Sequence, residues 1–189
     1  MAELSNFERV AKGISDDNTC REHEFRWTWA KTKIQRTDMV LVSACGYGYE
    51  FPIYKEREPK QLWGIDKPDA VIVVKQLYPE VTAIEDDLEV CEKFAVLDEN
   101  QFDKIISFET IEHLADPTKF LETCIKVLRN RGRLIGSVPM NSPGGSHKTE
   151  YNRESIEALL KRYFPHNFYT LWQDPCFVLF DCVKTNGFN

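Results

Sequence analysis

The sequence of 189 residues is long enough for one domain with a sizeable core, and 42% hydrophobic with 29% charged residues is ordinary for a globular protein. The net charge of −6 argues against nonspecific nucleic-acid binding, because that activity needs a basic face to displace counterions. No apolar run reaches the roughly 20 residues of a membrane-spanning helix, so we expect no membrane partner.

The N-terminal residues and the cysteines bear on the cellular compartment. The segment MAELSNFERVAKG is charged and lacks the apolar centre of a signal peptide. Six cysteines are present without a CxxC pair, and several lie in apolar strand or helix patterns. This usage is typical of buried free thiols in a reducing compartment, so we expect a cytoplasmic protein without a zinc site.

We expect a single domain, with residues 1–36 as an N-terminal helical cap segment and residues 37–189 as an α/β core. Residues 20–35 have helix-compatible spacing of their aromatic side chains. After this segment, apolar strand patterns alternate with helix patterns along the chain. Strands are predicted at 38–45, 61–66, 81–86, 102–109 and 132–139, and the longer helices at 68–79 and 116–130.

The pattern changes after Pro139. A loop rich in turn-forming residues, MNSPGGSHKTEY, precedes an amphipathic helix at 152–164. Two strand-like runs at 167–173 and 176–184 follow, with only a short turn between them. Strands separated by helices are parallel, whereas strands joined by a short turn are normally antiparallel. The chain therefore predicts a doubly wound, mostly parallel sheet that ends in an antiparallel hairpin.

The first strand runs into a glycine turn, VLVSACGYGYEF, which is the leading candidate for a ligand site. Open parallel sheets bind ligands at the carboxyl ends of their strands, and Gly46 and Gly48 permit close approach of the backbone. Asp66 ends the second strand 20 residues after Gly46, where a carboxylate accepts hydrogen bonds from ribose hydroxyls. A plain tight turn and a helix N-cap are the simpler interpretations of these residues.

The third strand ends in IEDDL, which suggests how a base would be bound. Asp86 or Asp87 can accept a hydrogen bond from an adenine amino group, and Leu88 can pack against the ring; a solvated acidic loop is the simpler interpretation. The dinucleotide fingerprint requires a third small residue, and Phe51 at that point argues against NAD and FAD. The sequence also lacks a P-loop motif.

From Met39 to about Tyr163 these motifs resemble, in order, those of the class I S-adenosylmethionine-dependent methyltransferases. VLVSACGYG resembles the first motif of that family, GID its ribose-binding motif and EDDL its adenine-contacting loop. The most specific stretch is FDKIISFETIEHLADPTKFLETCIKVLRNRGRLIGSVP, with its strand, EHL segment, helix, turn and strand. The resemblance implies a Rossmann-like core with strand order 3-2-1-4-5-7-6, strand 7 antiparallel and helices on both faces.

The resemblance also implies the cofactor S-adenosyl-L-methionine, with S-adenosyl-L-homocysteine as product. Because the sulfonium already activates the methyl carbon, we expect no metal ion. The implied contacts follow the ends of four successive strands. They are Ala44, Cys45, Gly46, Tyr47 and Gly48 at the methionine moiety, Asp66 and Lys67 at the ribose, Asp86 or Asp87 with Leu88 at the adenine, and Ser107, Phe108 and Glu109 towards the sulfonium.

Several positions depart from the family pattern. Val42 stands where the first motif usually has an acidic residue, and Ala44 replaces the first glycine. NRG replaces a proline-glycine-glycine turn, and PMN replaces a Pro-Asn pair. These departures leave open a degenerate, non-catalytic Rossmann-like binding module; an NAD-dependent oxidoreductase is the less favoured alternative.

Methyl transfer to a hydroxyl requires alignment of the acceptor and a general base. The resemblance implies a small-molecule or sugar acceptor, with His147 as the preferred base in an H-x-x-E segment that ends at Glu150. His113 in ETIEHL is the second candidate. The simpler interpretations are a surface histidine at 147 and a loop-positioning role for Glu112 and His113. The pocket is expected to include Tyr47, Tyr49, His23, Arg26, Trp27 and Trp29.

Overall fold

The computed structural model describes residues 17–140, 146–165, 168–174 and 176–185, with side chains described outside 17–20 and 168–174. Helices and strands alternate along the chain. The helices are α1 (Asp17–Lys31), α2 (Phe51–Lys55), α3 (Pro68–Leu77), α4 (Thr118–Val127) and α5 (Arg153–Lys161); the strands are β1 (Met39–Ser43), β2 (Gln61–Asp66), β3 (Thr82–Glu85), β4 (Phe102–Phe108), β5 (Leu128–Pro139), β6 (Phe168–Asp174) and β7 (Phe177–Val183).

One seven-stranded sheet of order β3-β2-β1-β4-β5-β7-β6 forms the centre of the protein. The pairs β1–β2, β1–β4, β2–β3 and β4–β5 are parallel, whereas β7 runs antiparallel to both β5 and β6. The predicted fold class is therefore confirmed, including the strand order and the C-terminal hairpin. The switch in connection order places the carboxyl ends of β1 and β4 side by side, which is where doubly wound sheets bind ligands.

Alternate residues of the central strands point to opposite faces, and each face has its own buried cluster. Leu41 of β1 packs with Phe120 of α4 and Ile156 of α5 on one face. Val40 of the same strand packs with Phe51 of α2 on the other face, together with residues of α1 and α3. Helices thus cover both faces, which explains the apolar run in β1 and the buried centre of β4.

The boundary between α4 and β5 differs from the prediction. The helix ends at Val127 rather than Asn130, and β5 begins four residues earlier than predicted, at Leu128. Leu128 pairs with Phe102 of β4, and the pairing then shifts so that Arg133 lies opposite Lys104. Pairing within the sheet therefore takes precedence over the helical spacing of these residues.

The N-terminal cap segment is only partly described. Helix α1 forms within it, and Ala30 of α1 is fully buried in the cluster that contains Val40 and Phe51. Residues 1–16 lie outside the described residues. The division into a cap at 1–36 and a core at 37–189 stays a prediction. No helix in the described part of the chain combines the length and the apolar character needed to span a membrane.

The cysteine prediction holds for most of the described cysteines. Cys45, Cys91, Cys124 and Cys182 are buried, but Cys176 is exposed, and the side chain of Cys20 is outside the described part. Burial raises the pKa of the Cys124 and Cys182 thiols well above the usual value, which keeps them protonated at neutral pH.

Candidate active site

The turn after β1 is held in a left-handed backbone conformation. Ala44, Gly46 and Gly48 have φ angles of 52°, 53° and 76°, which glycine adopts readily and alanine adopts at a cost. A Cβ atom added at Gly48 would lie 2.4 Å from Cδ2 of Phe51, so this glycine is required by packing. A Cβ added at Gly46 would meet no atom within 4 Å, because that side of Gly46 faces open space.

Asp66 lies directly beside this turn. The register of β1 and β2 places Ser43 opposite Ile65, so the residues that follow each strand emerge together. The backbone N–H of Gly46 donates to Asp66 Oδ2 at 2.7 Å, and the N–H of Lys67 donates to Oδ1 at 2.7 Å. A carboxylate offers about four lone-pair directions, so Asp66 can accept further hydrogen bonds from a ligand.

The two aspartates after β3 have different environments. Asp86 is 9% exposed and accepts hydrogen bonds from the N–H groups of Asp87, Glu92 and Phe94 at 2.9, 3.1 and 2.7 Å. It therefore organises the loop. Asp87 is exposed and accepts from Glu89 N–H at 2.9 Å, while Leu88 is buried beneath it. Of the two alternatives, Asp87 is the better placed to contact a base.

Glu109, after β4, is fixed by two neighbouring elements. Ser137 Oγ of β5 donates to Glu109 Oε1 at 2.5 Å, and Arg26 Nη1 of α1 lies 3.9 Å from the same oxygen. Arg26 is 3% exposed and its guanidinium lies over the ring of Phe177, 4.9 Å from the centroid. This network ties the N-terminal helix to the ends of β4, β5 and β7.

The segment after β4 and the loop after β5 meet at Glu112 and His113. Lys148 and Thr149 donate their backbone N–H groups to the carbonyl oxygen of Glu112 at 2.8 and 3.2 Å. Ser146 Oγ lies 3.0 Å from His113 Nδ1, and the rings of His113 and His147 are 4.9 Å apart in an edge-to-face arrangement. The two candidate bases are thus adjacent, although 34 residues separate them in the sequence.

These elements enclose one cavity of about 410 Å³, within the 300–1,000 Å³ usual for small-molecule and cofactor sites. Its walls come from the turn after β1, the ends of β2, β3 and β4, α1 and the loop after β5. The lining residues are His23, Trp27, Val42, Ser43, Ala44, Cys45, Gly46, Tyr47, Tyr49, Glu50, Asp66, Lys67, Asp86, Asp87, Leu88, Glu89, Phe108, Glu109, Thr110, His113, Leu114, Ser146 and Lys148.

Most of the residues predicted to bind the cofactor line this cavity. Three predicted site residues do not: Gly48 faces Phe51, Ser107 is fully buried in β4, and His147 is outside the lining although its ring contacts that of His113. Of the pocket residues expected from the first 36, His23 and Trp27 line the cavity, whereas Arg26 and Trp29 lie outside it.

Sequence reasoning missed Glu50 and the two charged residues Glu89 and Lys148. Glu50 is 6% exposed, and burial, with a smaller contribution from Asp66, raises its pKa to about 8. Lys148 Nζ forms an ion pair with Glu89 Oε1 at 2.7 Å, which closes the cavity between the loops after β3 and β5. Of these three residues, only Lys148 could have been suspected from the sequence, because it is next to the predicted base His147.

The cavity also contains a neutral histidine. Burial lowers the pKa of His23 to about 3, and the neighbouring Arg26 contributes in the same direction. The ring of His23 is 5.6 Å from that of Trp27. An uncharged imidazole and an indole therefore form the wall contributed by α1.

Comparison with known proteins places the chain in a family. A family model described as a methyltransferase domain matches residues 41–136, slightly more than half of the 189 residues. A protein of Mycolicibacterium smegmatis, named a probable S-adenosylmethionine-dependent methyltransferase, is 28% identical over 165 residues, which cover 82% of this chain. The chain spans 62% of the length of that relative.

A second relative and a solved structure support the same placement. The ubiquinone biosynthesis O-methyltransferase of Pseudomonas fluorescens is 25% identical over 173 residues, covering 85% of this chain and 72% of the relative. The structure of YcgJ from Bacillus subtilis has a TM-score of 0.71 at 13% identity, covering 87% of this chain and all of YcgJ, and is a likeness of fold alone. These similarities lend no support to the nicotinamide oxidoreductase alternative. The chain belongs to the family of S-adenosylmethionine-dependent methyltransferases that its motifs predicted.

Proposed function

We propose that the cavity binds S-adenosylmethionine and that the protein transfers its methyl group to a hydroxyl of a small molecule or sugar. The observation that carries the proposal is the pairing of Asp66 with Gly46 N–H at 2.7 Å, which joins the ribose-binding carboxylate to the glycine turn. The cavity volume of about 410 Å³ also suits one nucleoside with its amino-acid extension.

The residues of the cavity fit this cofactor. Asp66 would accept hydrogen bonds from the ribose hydroxyls, with Lys67 beside it. Asp87 and Leu88 would contact the adenine by a hydrogen bond and by packing. The open side of Gly46 leaves room for the methionine moiety against the backbone, which a side chain would fill.

Val42 leaves the methionine end without the acidic residue usual in the first motif, but the cavity supplies another carboxyl group. Both Val42 and Glu50 line the cavity. Glu50 is neutral near pH 7 because burial raises its pKa to about 8. A cationic ammonium group nearby would favour ionisation of Glu50, so this residue can take over the missing contact.

The acceptor is expected at the edge of the cavity formed by Glu109, Thr110 and His113. When bound, S-adenosylmethionine supplies a methyl group already activated by the sulfonium. The chain's own task is to align the acceptor, exclude water and receive the hydroxyl proton. His113 lines this edge and its ring lies 4.9 Å from that of His147, so the pair would form the proton-accepting group.

The acceptor class rests on the cavity and on the relatives. Trp27 and Tyr49 line the cavity together with the acidic residues Glu50, Asp87 and Glu109, which suits a small uncharged alcohol or phenol better than a polyanion. The similarity to an O-methyltransferase of ubiquinone biosynthesis is consistent with a hydroxyl acceptor.

Transfer of labelled methyl from S-adenosylmethionine to a panel of phenols, polyols and sugars tests the proposal. We expect product with at least one hydroxyl acceptor, and a loss of about 10²–10⁴-fold in kcat for His113→Ala. Arg153→Ala, on the exposed surface of α5, is the matched control and should turn over as wild type. Cofactor binding without turnover of any acceptor would instead favour the non-catalytic module.

A further inference from the structure

Three side chains with metal-ligating atoms converge beside the cavity. One ligand atom each from Glu112, His113 and His147 lies within 4.8 Å of the other two. Glu112 is 1% exposed, and both histidines are half-buried. A buried carboxylate next to two imidazoles is an arrangement in which a bound cation offsets the cost of burying negative charge.

The backbone holds these ligands in place. The N–H groups of Lys148 and Thr149 donate to the Glu112 carbonyl oxygen at 2.8 and 3.2 Å, which fastens the loop that carries His147 to the segment that carries His113. The fold therefore brings the two histidines together, and they are not independent surface residues.

The ring of His113 is oriented by a neighbour in the manner of a metal ligand. Ser146 Oγ lies 3.0 Å from Nδ1, and Nε2 lies 3.8 Å from Glu112 Oε1. If Nδ1–H donates to the serine hydroxyl, the lone pair of Nε2 points towards the cluster. A hydrogen bond at the second ring nitrogen is the usual way in which proteins orient a coordinating histidine.

We propose that Glu112, His113 and His147 bind one divalent transition-metal ion at the acceptor edge of the cavity. Zn–N and Zn–O bonds of about 2.1 Å place ligand atoms of a tetrahedral ion roughly 3.4 Å apart. The ligand atoms of the cluster lie within 4.8 Å of one another, so the widest separation must contract by about 1.4 Å at most. Two imidazoles and one carboxylate favour zinc, cobalt or a similar ion over magnesium, which prefers oxygen ligands.

Three protein ligands leave at least one coordination position open, as in catalytic metal sites. His113 also lines the cavity, so this position would face the acceptor. A hydroxyl bound to the ion would release its proton to water more readily, and its oxygen would form the bond to the methyl carbon as the methyl–sulfur bond breaks and S-adenosylhomocysteine leaves. The two histidines would then act as ligands rather than as bases. This role rests on the proposed methyl transfer, whereas the metal site itself does not.

Titration calorimetry of the full chain, freed of metal with a chelator, tests the site with Zn²⁺, Co²⁺ and Mg²⁺ as probes. We expect one Zn²⁺ or Co²⁺ per chain with a dissociation constant in the micromolar range or below, and much weaker Mg²⁺ binding. Visible absorption of the Co²⁺ complex reports its coordination. His147→Ala and His113→Ala should each weaken binding by about 100-fold or more.

His23→Gln is the matched control, because His23 lines the same cavity outside the cluster and should leave metal affinity unchanged. Binding that survives in both His113→Ala and His147→Ala, or no binding by the wild type, would overturn the proposal. Survival would point to other ligands such as the exposed Cys176. S-adenosylhomocysteine binding by the metal-free chain is measured in parallel, so that failure of the cofactor site and failure of the metal site are distinguished.

Discussion

Glu50 provides a test of the electrostatics of the cavity through the pH dependence of stability. Burial raises the pKa of this carboxyl from 4.5 to about 8 in the folded protein. The unfolded chain therefore releases the proton at lower pH than the folded chain does. The contribution of Glu50 to stability is fully present below about pH 4.5 and is lost as the pH rises through 8.

The size of the loss follows from the two pKa values. Each pH unit between them costs up to about 1.4 kcal/mol, so between pH 5 and pH 8 the free energy of unfolding falls by about 3 kcal/mol on account of this residue. Glu50→Gln keeps the shape of the side chain but cannot ionise. Between pH 5 and pH 8, the free energy of unfolding of Glu50→Gln should therefore fall by about 3 kcal/mol less than that of wild type.

Urea unfolding followed by tryptophan fluorescence at pH 5, 6.5 and 8 measures the difference between Glu50→Gln and wild type. We expect Glu50→Gln to gain about 3 kcal/mol relative to wild type as the pH rises from 5 to 8. Glu56→Gln, an exposed glutamate paired with Lys31, is the control and should follow the wild-type curve. Parallel curves for wild type and Glu50→Gln would show that Glu50 is ionised in the folded protein and would refute the reasoning.

The turn after β1 and the loop after β3 give three further predictions. Gly48→Ala should destabilise the protein by about 1–3 kcal/mol, because its Cβ would lie 2.4 Å from Phe51 at a φ of 76°. Gly46→Ala should cost only about 1 kcal/mol in thermal unfolding, yet weaken S-adenosylhomocysteine binding in calorimetry, and unaltered affinity would place the ligand elsewhere. Asp86→Ala should cost about 2–4 kcal/mol in urea unfolding, because three backbone donors lose their acceptor; a change below 1 kcal/mol would contradict the organising role of Asp86.

The fold was predictable because its signals are local. The segments that form β1 and β2 are short and largely apolar and end in turn residues or an aspartate. Their pairing follows from the alternation of strands and helices. The extension of β5 to Leu128 was not predictable, because pairing with Phe102 depends on the assembled sheet and the local spacing favours a helix.

Some parts of the candidate site were predictable from the sequence, and others were not. Asp66 and Gly46 stand at strand ends, where topology alone brings them together, so the sequence predicts their proximity. The burial of Glu50 has no local signal. The meeting of His113 and His147 depends on how the loop after β5 folds back, and a spacing of 34 residues gives no periodic pattern.

Calorimetric titration of S-adenosylhomocysteine into wild type and Asp66 variants tests the central claim most directly. Loss of two charge-assisted hydrogen bonds at about 1.5–3 kcal/mol each predicts that Asp66→Ala binds at least about 100-fold more weakly than wild type. Glu85→Ala removes the carboxylate of the residue paired with Asp66 in β3, outside the cavity lining, and should bind as wild type. Equal affinity of wild type and Asp66→Ala, or no binding by wild type, would contradict a ribose held by Asp66 beside the glycine turn.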